Sequence, residues 1–223
     1  MYSLDYQNKL YKRFVDQRVR KSIFENFSLE NLDIEIDKKE SFTNVIYIDI
    51  YSFSETVSEM TASDIKNYLE EYYSKTLRII HKYSGRIDKL MGDGIIAMFS
   101  PLFDRRMKKK DASNNALYCS KEIIEELFCT EFESKSAIGS GDLYYCKTGL
   151  EQVYEEYTAI GKPLTIAYRL EAEADKNQIL TLKRTGLSKR ILSQEIDMSG
   201  WSKNIFTSVL KGLGDFDILS CKY

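Results

Sequence analysis

Two carboxylates stand out for their surroundings. Asp49 sits in the apolar run "VIYIDI" (45–50), where a strand would otherwise be apolar on both sides. Asp93 sits between two glycines in "MGDGII" (91–96). A buried, unpaired carboxylate is unfavourable, so Asp49 needs a partner or a strand end that faces solvent. Taken singly, each Asp has a plain explanation, a strand-end cap in one case and turn chemistry in the other. Taken together they are a pair of hard oxygen ligands, a donor set that suits Mg2+ or Mn2+. Two unit charges about 4 Å apart repel appreciably, so the pair makes most sense with a dication between them. The backbone amides that follow Asp49, from Ile50 to Phe53, are then placed to cradle phosphate oxygens.

The elements around these residues follow from periodicity. Strand 45–50 leads through a short helix into a long one that starts at Ala62 and runs to Tyr83. Its apolar face is Ile65, Tyr68, Leu69, Tyr72, Thr76, Ile79, Ile80 and Tyr83, at three- and four-residue steps. "RIDKLMGDGIIAMFS" (86–100) reads as a hairpin with a glycine-rich turn. Next come a helix over 111–128 and a second hairpin, "SAIGSGDLYYCKTG" (136–149). A loop leads to "YTAIG" (157–161), followed by a helix over 162–174, a strand over 178–182 and a small helix over 185–192. A last strand pair surrounds "LKGLGDFDIL" (210–219). The order strand, helix, hairpin, helix, strand predicts a ferredoxin-like α+β fold, a βαββαβ core whose antiparallel sheet carries its helices on one face. In that topology the end of the first strand lies beside the tip of the first hairpin, which sets Asp49 beside Asp93. Upstream, Tyr6, Leu10, Phe14 and Val15 have helical spacing over 5–25, and 28–44 reads as a connector. The chain therefore divides into a helical extension and connector (1–40) and one domain (41–223).

Composition narrows the classes. Hydrophobic residues make up 43% of the 223, ample for a core, and charged residues 30%, ordinary for a water-facing surface. A net charge of −2 gives no electrostatic footprint for nucleic acid and no basic face for a membrane. No apolar run approaches the roughly 20 residues that span a bilayer. The first residues, "MYSLDYQNKLYKRF", lack a signal-peptide core, and the four cysteines form no CxxC pair. A reducing cytoplasm is the expected home. His81 is the only histidine, which removes histidine-based triads and most transition-metal sites. The basic run "RRMKKK" (105–110) reads as a solvated loop.

The stretches "VIYIDIYSFS", "GRIDKLMGDGIIAMFS", "YTAIGKPLTIAYRLE" and "LKGLG" resemble, in order and spacing, four motifs of the class III nucleotidyl cyclases, over residues 44–220. One GDG alone is a weak signal, whereas four motifs in register are specific. Diguanylate cyclases and palm polymerases share the two-Asp geometry. Their hairpin signature differs from "MGDG", however, and the last two motifs would go unexplained. The resemblance implies an enzyme that converts a nucleoside triphosphate to a 3′,5′-cyclic nucleotide and pyrophosphate. It also implies a homodimer whose two sites take residues from both chains. Asp49, Ile50 and Asp93 are then the metal-binding set for two divalent cations, Mg2+ or Mn2+. One cation activates the ribose 3′-hydroxyl for attack on the α-phosphate, and the other neutralises the triphosphate. From the other chain, Arg169 would stabilise charge developing on the α-phosphate and Lys211 would hold the outer phosphates. Lys89 and Thr158 occupy the base-reading positions, and Tyr51 and Phe53 join the substrate-binding set. The family usually has Asn four residues before the Arg; here it is Thr165, whose hydroxyl reaches less far than an amide. That departure leaves a second reading, a cyclase-homology domain that binds nucleotide without turning it over.

Lys89 donates to a ring nitrogen, and Thr158 can accept from an exocyclic amine. Adenine and cytosine both present that edge, so the pair points to ATP or CTP over GTP or UTP, with ATP to cAMP preferred. Most family members carry sensor or membrane domains, and this chain has little beyond its leader helix. In that respect it resembles the pyrimidine cyclases of bacterial anti-phage defence, which make cyclic CMP or cyclic UMP. Bulky Tyr51, two residues past Asp49, would shorten the pocket for a small base. A cyclic-nucleotide-binding effector would then act downstream.

Overall fold

The computed structural model describes residues 36–104, 106–150 and 153–223. The helix expected over 5–25 lies outside the described residues. The first strand, β1 (Lys39–Ile50), begins earlier than expected, because residues 39–44 of the supposed connector pair with a neighbouring strand. A short helix, α1 (Phe53–Thr56), precedes α2 (Ala62–Lys82). The start of α2 is fixed by a reciprocal cap. Thr61 Oγ1 accepts from the Asp64 N–H, and the Asp64 carboxylate accepts from the Thr61 N–H.

The hairpin β2 (Arg86–Met91) and β3 (Gly94–Phe99) follows. Its two-residue turn begins with Gly92 at φ 64°, a conformation that favours glycine. Helix α3 (Lys109–Leu127) then leads to β4 (Ser134–Leu150), and the sheet order β2-β3-β1-β4 is that of the ferredoxin-like core. Beyond β4 the sheet continues with β6 (Gln178–Leu182), β8 (Gly214–Lys222) and β7 (Ser202–Leu210), while β5 (Tyr154–Ile160) pairs with the far half of β4. Among the described residues only β4 and β6 pair in parallel; the other pairs are antiparallel. The remaining helices are α4 (Lys162–Glu173) and α5 (Gly186–Leu192).

Two further expectations change. Residues 136–149 form no hairpin of their own: they belong to the one long strand β4, whose partner β5 includes the segment expected to follow a loop. The helices also occupy both faces of the sheet. Ile46, Ile48 and Ile50 of β1 pack with Ile95 and Ala97 under α2 and α3, whereas Val45, Ile96 and Met98 pack with Ala167 of α4 on the other face. The alternation of β1 decides this, because successive side chains point to opposite faces. Asp49, in step with Val45 and Tyr47, therefore lies on the α4 face. No helix of the described residues is long and apolar enough to cross a membrane.

Glycine 139 explains why α4 can lie so close. A Cβ there would sit 2.0 Å from the Pro163 carbonyl oxygen and 3.0 Å from the Ala167 nitrogen, both backbone atoms that cannot swing aside. Gly139→Ala should therefore destabilise by about 1–3 kcal/mol through overpacking. Gly186, where a Cβ would meet nothing within 4 Å, should tolerate alanine without loss. Urea titrations check both: the midpoint should drop for Gly139→Ala and hold or rise for Gly186→Ala.

Candidate active site

The acid pair is assembled as the topology requires. Asp49 is the penultimate residue of β1, opposite Lys135 of β4, and its neighbour Ile48 pairs with Ile95 of β3. That register brings the β2–β3 turn alongside, and the Asp49 and Asp93 carboxyls come within hydrogen-bonding reach. Tyr73 of α2 holds the turn from the other side, its hydroxyl donating to the Gly92 carbonyl. Burial, followed by the hydrogen bond to Asp93 and the Asp93 and Glu171 charges, pushes the Asp49 carboxyl up to about 8; Lys135 opposes the rise. Burial and the Asp93 charge push the Tyr73 hydroxyl up to about 12.

Lys135 and Glu171 form an ion pair at 2.7 Å, with only 17% and 12% of their side chains exposed. A cation is thus built in beside the acids, already partnered by a carboxylate of α4. Tyr47 and Tyr168 line the same face, their rings edge to face at 5.0 Å between centroids. The Tyr168 hydroxyl lies 3.5 Å from Met91 Sδ beside the hairpin turn. Neither Lys135, Glu171, Tyr73 nor Tyr168 was singled out by sequence. No local sequence signal marks Lys135, because its place opposite Asp49 is set by the β1–β4 register.

The other expected residues separate into groups. Ile50 is 2% exposed with its side chain in the α2 and α3 core, so only its backbone can face the acids. Phe53 packs against Tyr68, at 6.2 Å between rings, and serves the same core. The Tyr51 hydroxyl hydrogen-bonds Asp175, and the Tyr51 N–H donates to the Glu133 carbonyl at 2.8 Å. One amide of the expected phosphate cradle is therefore committed to the fold.

Thr165 and Arg169 lie on the exposed side of α4, and among the described residues Arg169 forms no ion pair. Lys211 is exposed at the β7–β8 turn. Strand directions put that turn at the opposite end of the sheet from Asp49. Four strand spacings, roughly 19 Å, also separate β7 from β1. Lys211 cannot reach the acids of its own chain. Lys89 of β2 pairs with Glu156 of β5 at 3.5 Å, and Thr158 lies two residues further along β5. Thr158 also lines a cavity of about 20 Å³ with Arg86, Asp88, Met98 and Tyr145, room for a water rather than a base.

The residues present fit a hard divalent cation. Among the described residues no three His, Cys, Asp or Glu side chains cluster as ligands, so the side-chain donors are the two carboxylates. That suits Mg2+, which binds through one or two carboxylates and completes its shell with phosphates and water.

No protein-family model matches the chain. An uncharacterised Mycobacterium tuberculosis protein is 27% identical over 128 residues, 56% of this chain and 23% of that protein. The terminal-differentiation-specific adenylate cyclase of Dictyostelium discoideum is 28% identical over 131 residues, 57% of this chain and 6% of that protein. The match thus spans less than a quarter of the length of these relatives. Among solved structures, the adenylyl cyclase CyaB from P. aeruginosa superposes with a TM-score of 0.69 at 20% identity, covering 83% of this chain and 95% of that one. The guanylyl cyclase Cya2 gives 0.66 at 20% identity, covering 83% and 93%. The chain has the fold of class III nucleotidyl cyclase catalytic domains, the α+β architecture its four motifs imply. Adenylyl and guanylyl cyclases match it about equally, so the fold alone does not choose the base.

The raised Asp49 carboxyl has a pH consequence. Without metal the folded chain holds a proton on Asp49 that the unfolded chain has already released, from about pH 4 up to about 8. Over that window stability falls as pH rises. In chelator, the melting temperature of Asp49→Asn relative to wild type should therefore climb between pH 5 and pH 8. Adding Mg2+ or Mn2+ at pH 8 should raise wild type and not the variant. A difference that stays constant with pH would show that Asp49 is an ordinary surface acid.

Proposed function

We propose that the chain is a nucleotidyl cyclase acting on a nucleoside triphosphate, with ATP to cAMP as the preferred reaction. The observation that carries this reading is the meeting of Asp49 and Asp93 on the α4 face of a cyclase-fold sheet. The ribose 3′-oxygen forms a bond to the α-phosphorus while the bond from that phosphorus to the bridging oxygen breaks. The 3′-hydroxyl proton passes to solvent, and pyrophosphate leaves. Bound divalent cations supply charge neutralisation and a more acidic 3′-hydroxyl. Asp49, Asp93 and the Ile50 backbone would hold them, and Tyr73 keeps the Asp93 turn in place. Lys135 adds positive charge on the side where the phosphates lie.

The separation of Lys211 from the acids supports a site shared by two chains. In a two-fold dimer each chain gives its acids to one site and its Lys89, Thr158, Arg169 and Lys211 to the other. Arg169 is exposed and without an ion pair among the described residues, which leaves its guanidinium available to a phosphate. Tyr144, Leu150, Val153 and Ile160 leave apolar surface on the β4–β5 arm, the kind of patch that a partner covers.

Two experiments test this reading. Asp49→Ala or Asp93→Ala should lose about 3 kcal/mol or more of transition-state stabilisation, at least about a hundredfold in kcat/KM, with the fold intact. Undiminished turnover would remove the acid-pair assignment and leave nucleotide binding without catalysis. Asp93→Ala and Arg169→Ala proteins should each be inactive alone. Mixed to exchange, they should recover roughly a quarter of wild-type activity, since half the dimers carry one intact site of two. A well-exchanged mixture that stays inactive would place Arg169 within its own chain's site.

A further inference from the structure

The turn that carries Asp93 is gripped from three elements. From α2, the Tyr73 hydroxyl donates to the Gly92 carbonyl, and Tyr73 itself is 6% exposed. From β1, Tyr47 lies over Gly94: a Cβ there would sit 2.8 Å from Tyr47 Cε2 and 2.9 Å from the Tyr47 hydroxyl oxygen. From α4, the Tyr168 hydroxyl lies 3.5 Å from Met91 Sδ, and the Tyr168 ring meets Tyr47 edge to face. Met91, Gly92 and Gly94 are thus each touched by a tyrosine.

The two glycines of the turn serve different ends. Gly92 takes a left-handed φ, but Gly94 does not, so its backbone conformation is open to any residue. What calls for glycine at 94 is the Tyr47 ring, which fills the place of a Cβ. Register explains the contact. Tyr47 pairs with Ile96, and Gly94 lies two residues from Ile96 on the same face of β3. Tyr73 reaches the turn from the dry side of the sheet, and Tyr47 and Tyr168 from the α4 side. Held between the two faces, the turn leaves Asp93 a narrow range of positions beside Asp49.

A fixed ligand spacing discriminates between cations. Mg2+ takes its ligands at about 2.0–2.1 Å in near-ideal octahedral geometry, whereas Ca2+ accepts about 2.3–2.6 Å and irregular shells. Two carboxylates held within hydrogen-bonding reach of each other suit the smaller ion. We infer that Tyr47, Tyr73 and Tyr168 are positioning residues that set the spacing of Asp49 and Asp93, and so favour Mg2+ over Ca2+ at the acid pair. This rests on the metal reading of that pair and deepens it. No tyrosine need touch the cation: each acts through the backbone or a side chain of the turn.

The test is the rise in melting temperature with Mg2+ alone and with Ca2+ alone at pH 8, which yields a dissociation constant for each ion. Wild type should bind Mg2+ the tighter. Tyr73→Phe, which removes only the hydroxyl, should weaken Mg2+ by about three- to tenfold, the worth of one hydrogen bond, and Ca2+ by less. Tyr47→Leu should act the same way, and so should Gly94→Ala, whose Cβ displaces the ring. Tyr47→Phe keeps the ring and should match wild type. A merely structural role would lower the melting temperature in chelator and leave both affinities unchanged; that outcome overturns the inference. Equal losses for the two ions overturn it as well, as does a wild type that prefers Ca2+. If Tyr47→Phe loses as much as Tyr47→Leu, the hydroxyl is itself a ligand and positioning is wrong. Asp49→Ala separates the two readings. If it abolishes the Mg2+ response while the tyrosine variants behave as wild type, the acid pair stands and this inference alone falls. If it responds to Mg2+ as wild type does, the acid-pair reading falls and takes the inference with it.

Discussion

Holding two carboxylates side by side in a partly dry place is the constraint around which this fold is organised. When both are ionised Asp49 and Asp93 repel, and burial adds to the penalty, so neither position would survive as loose surface structure. Each is pinned by something larger than itself. Asp49 is fixed by the β1 ladder, with β3 on one side and β4 on the other. Asp93 is fixed by a two-residue turn whose carbonyl is tied to Tyr73 of α2. Full burial of an Ile side chain is worth about 1.5–3 kcal/mol, and Ile46, Ile48 and Ile50 supply three such contributions on the opposite side of the same strand. The apolar run that makes Asp49 look out of place is what holds it there.

The sheet divides its labour between faces. Under α2 and α3 the packing is dry and aliphatic, with Leu117, Ile123, Ile124 and Leu127 fully buried. On the α4 face the charged and aromatic side chains gather: Asp49, Lys135, Glu171, Tyr47 and Tyr168 near the acids, Arg86, Asp88, Lys89 and Glu156 nearer the β5 arm. Close approach of α4, allowed by the missing Cβ of Gly139, brings Glu171 to Lys135 and Tyr168 to Tyr47. A rigid dry layer behind a charged one keeps the charged groups positioned while leaving their electrostatics tunable.

The chain also keeps its acids and its exposed basic residues apart. Lys211 lies at the far edge and opposite end of the sheet from the acids, and Arg169 and Thr165 face outward from α4. In the proposed two-fold dimer, a second copy would bring the acids of one chain to the Arg169 and Lys211 of the other.

Much of this was legible in residue order. Hydrophobic spacing located α2, α3 and α4 to within a residue or two, since a one-sided apolar stripe has no other use in water. The Asp in an apolar strand and the Asp in a glycine turn announced themselves because burial makes such residues unfavourable without a purpose. Spacing of the four motifs pointed to the cyclase architecture that the fold then displays. What sequence could not decide were matters of partner and direction. Glycines in "SAIGSGDLYY" read as turn signals, yet one of them is there because a helix backbone crosses it, an event distant in the chain. Which face carries α4 depends on the crossover between β4 and β6, and no local pattern records it. The pairings of Lys135 with Glu171 and of Lys89 with Glu156 join residues on separate elements, and only register and packing bring those charges within reach of each other.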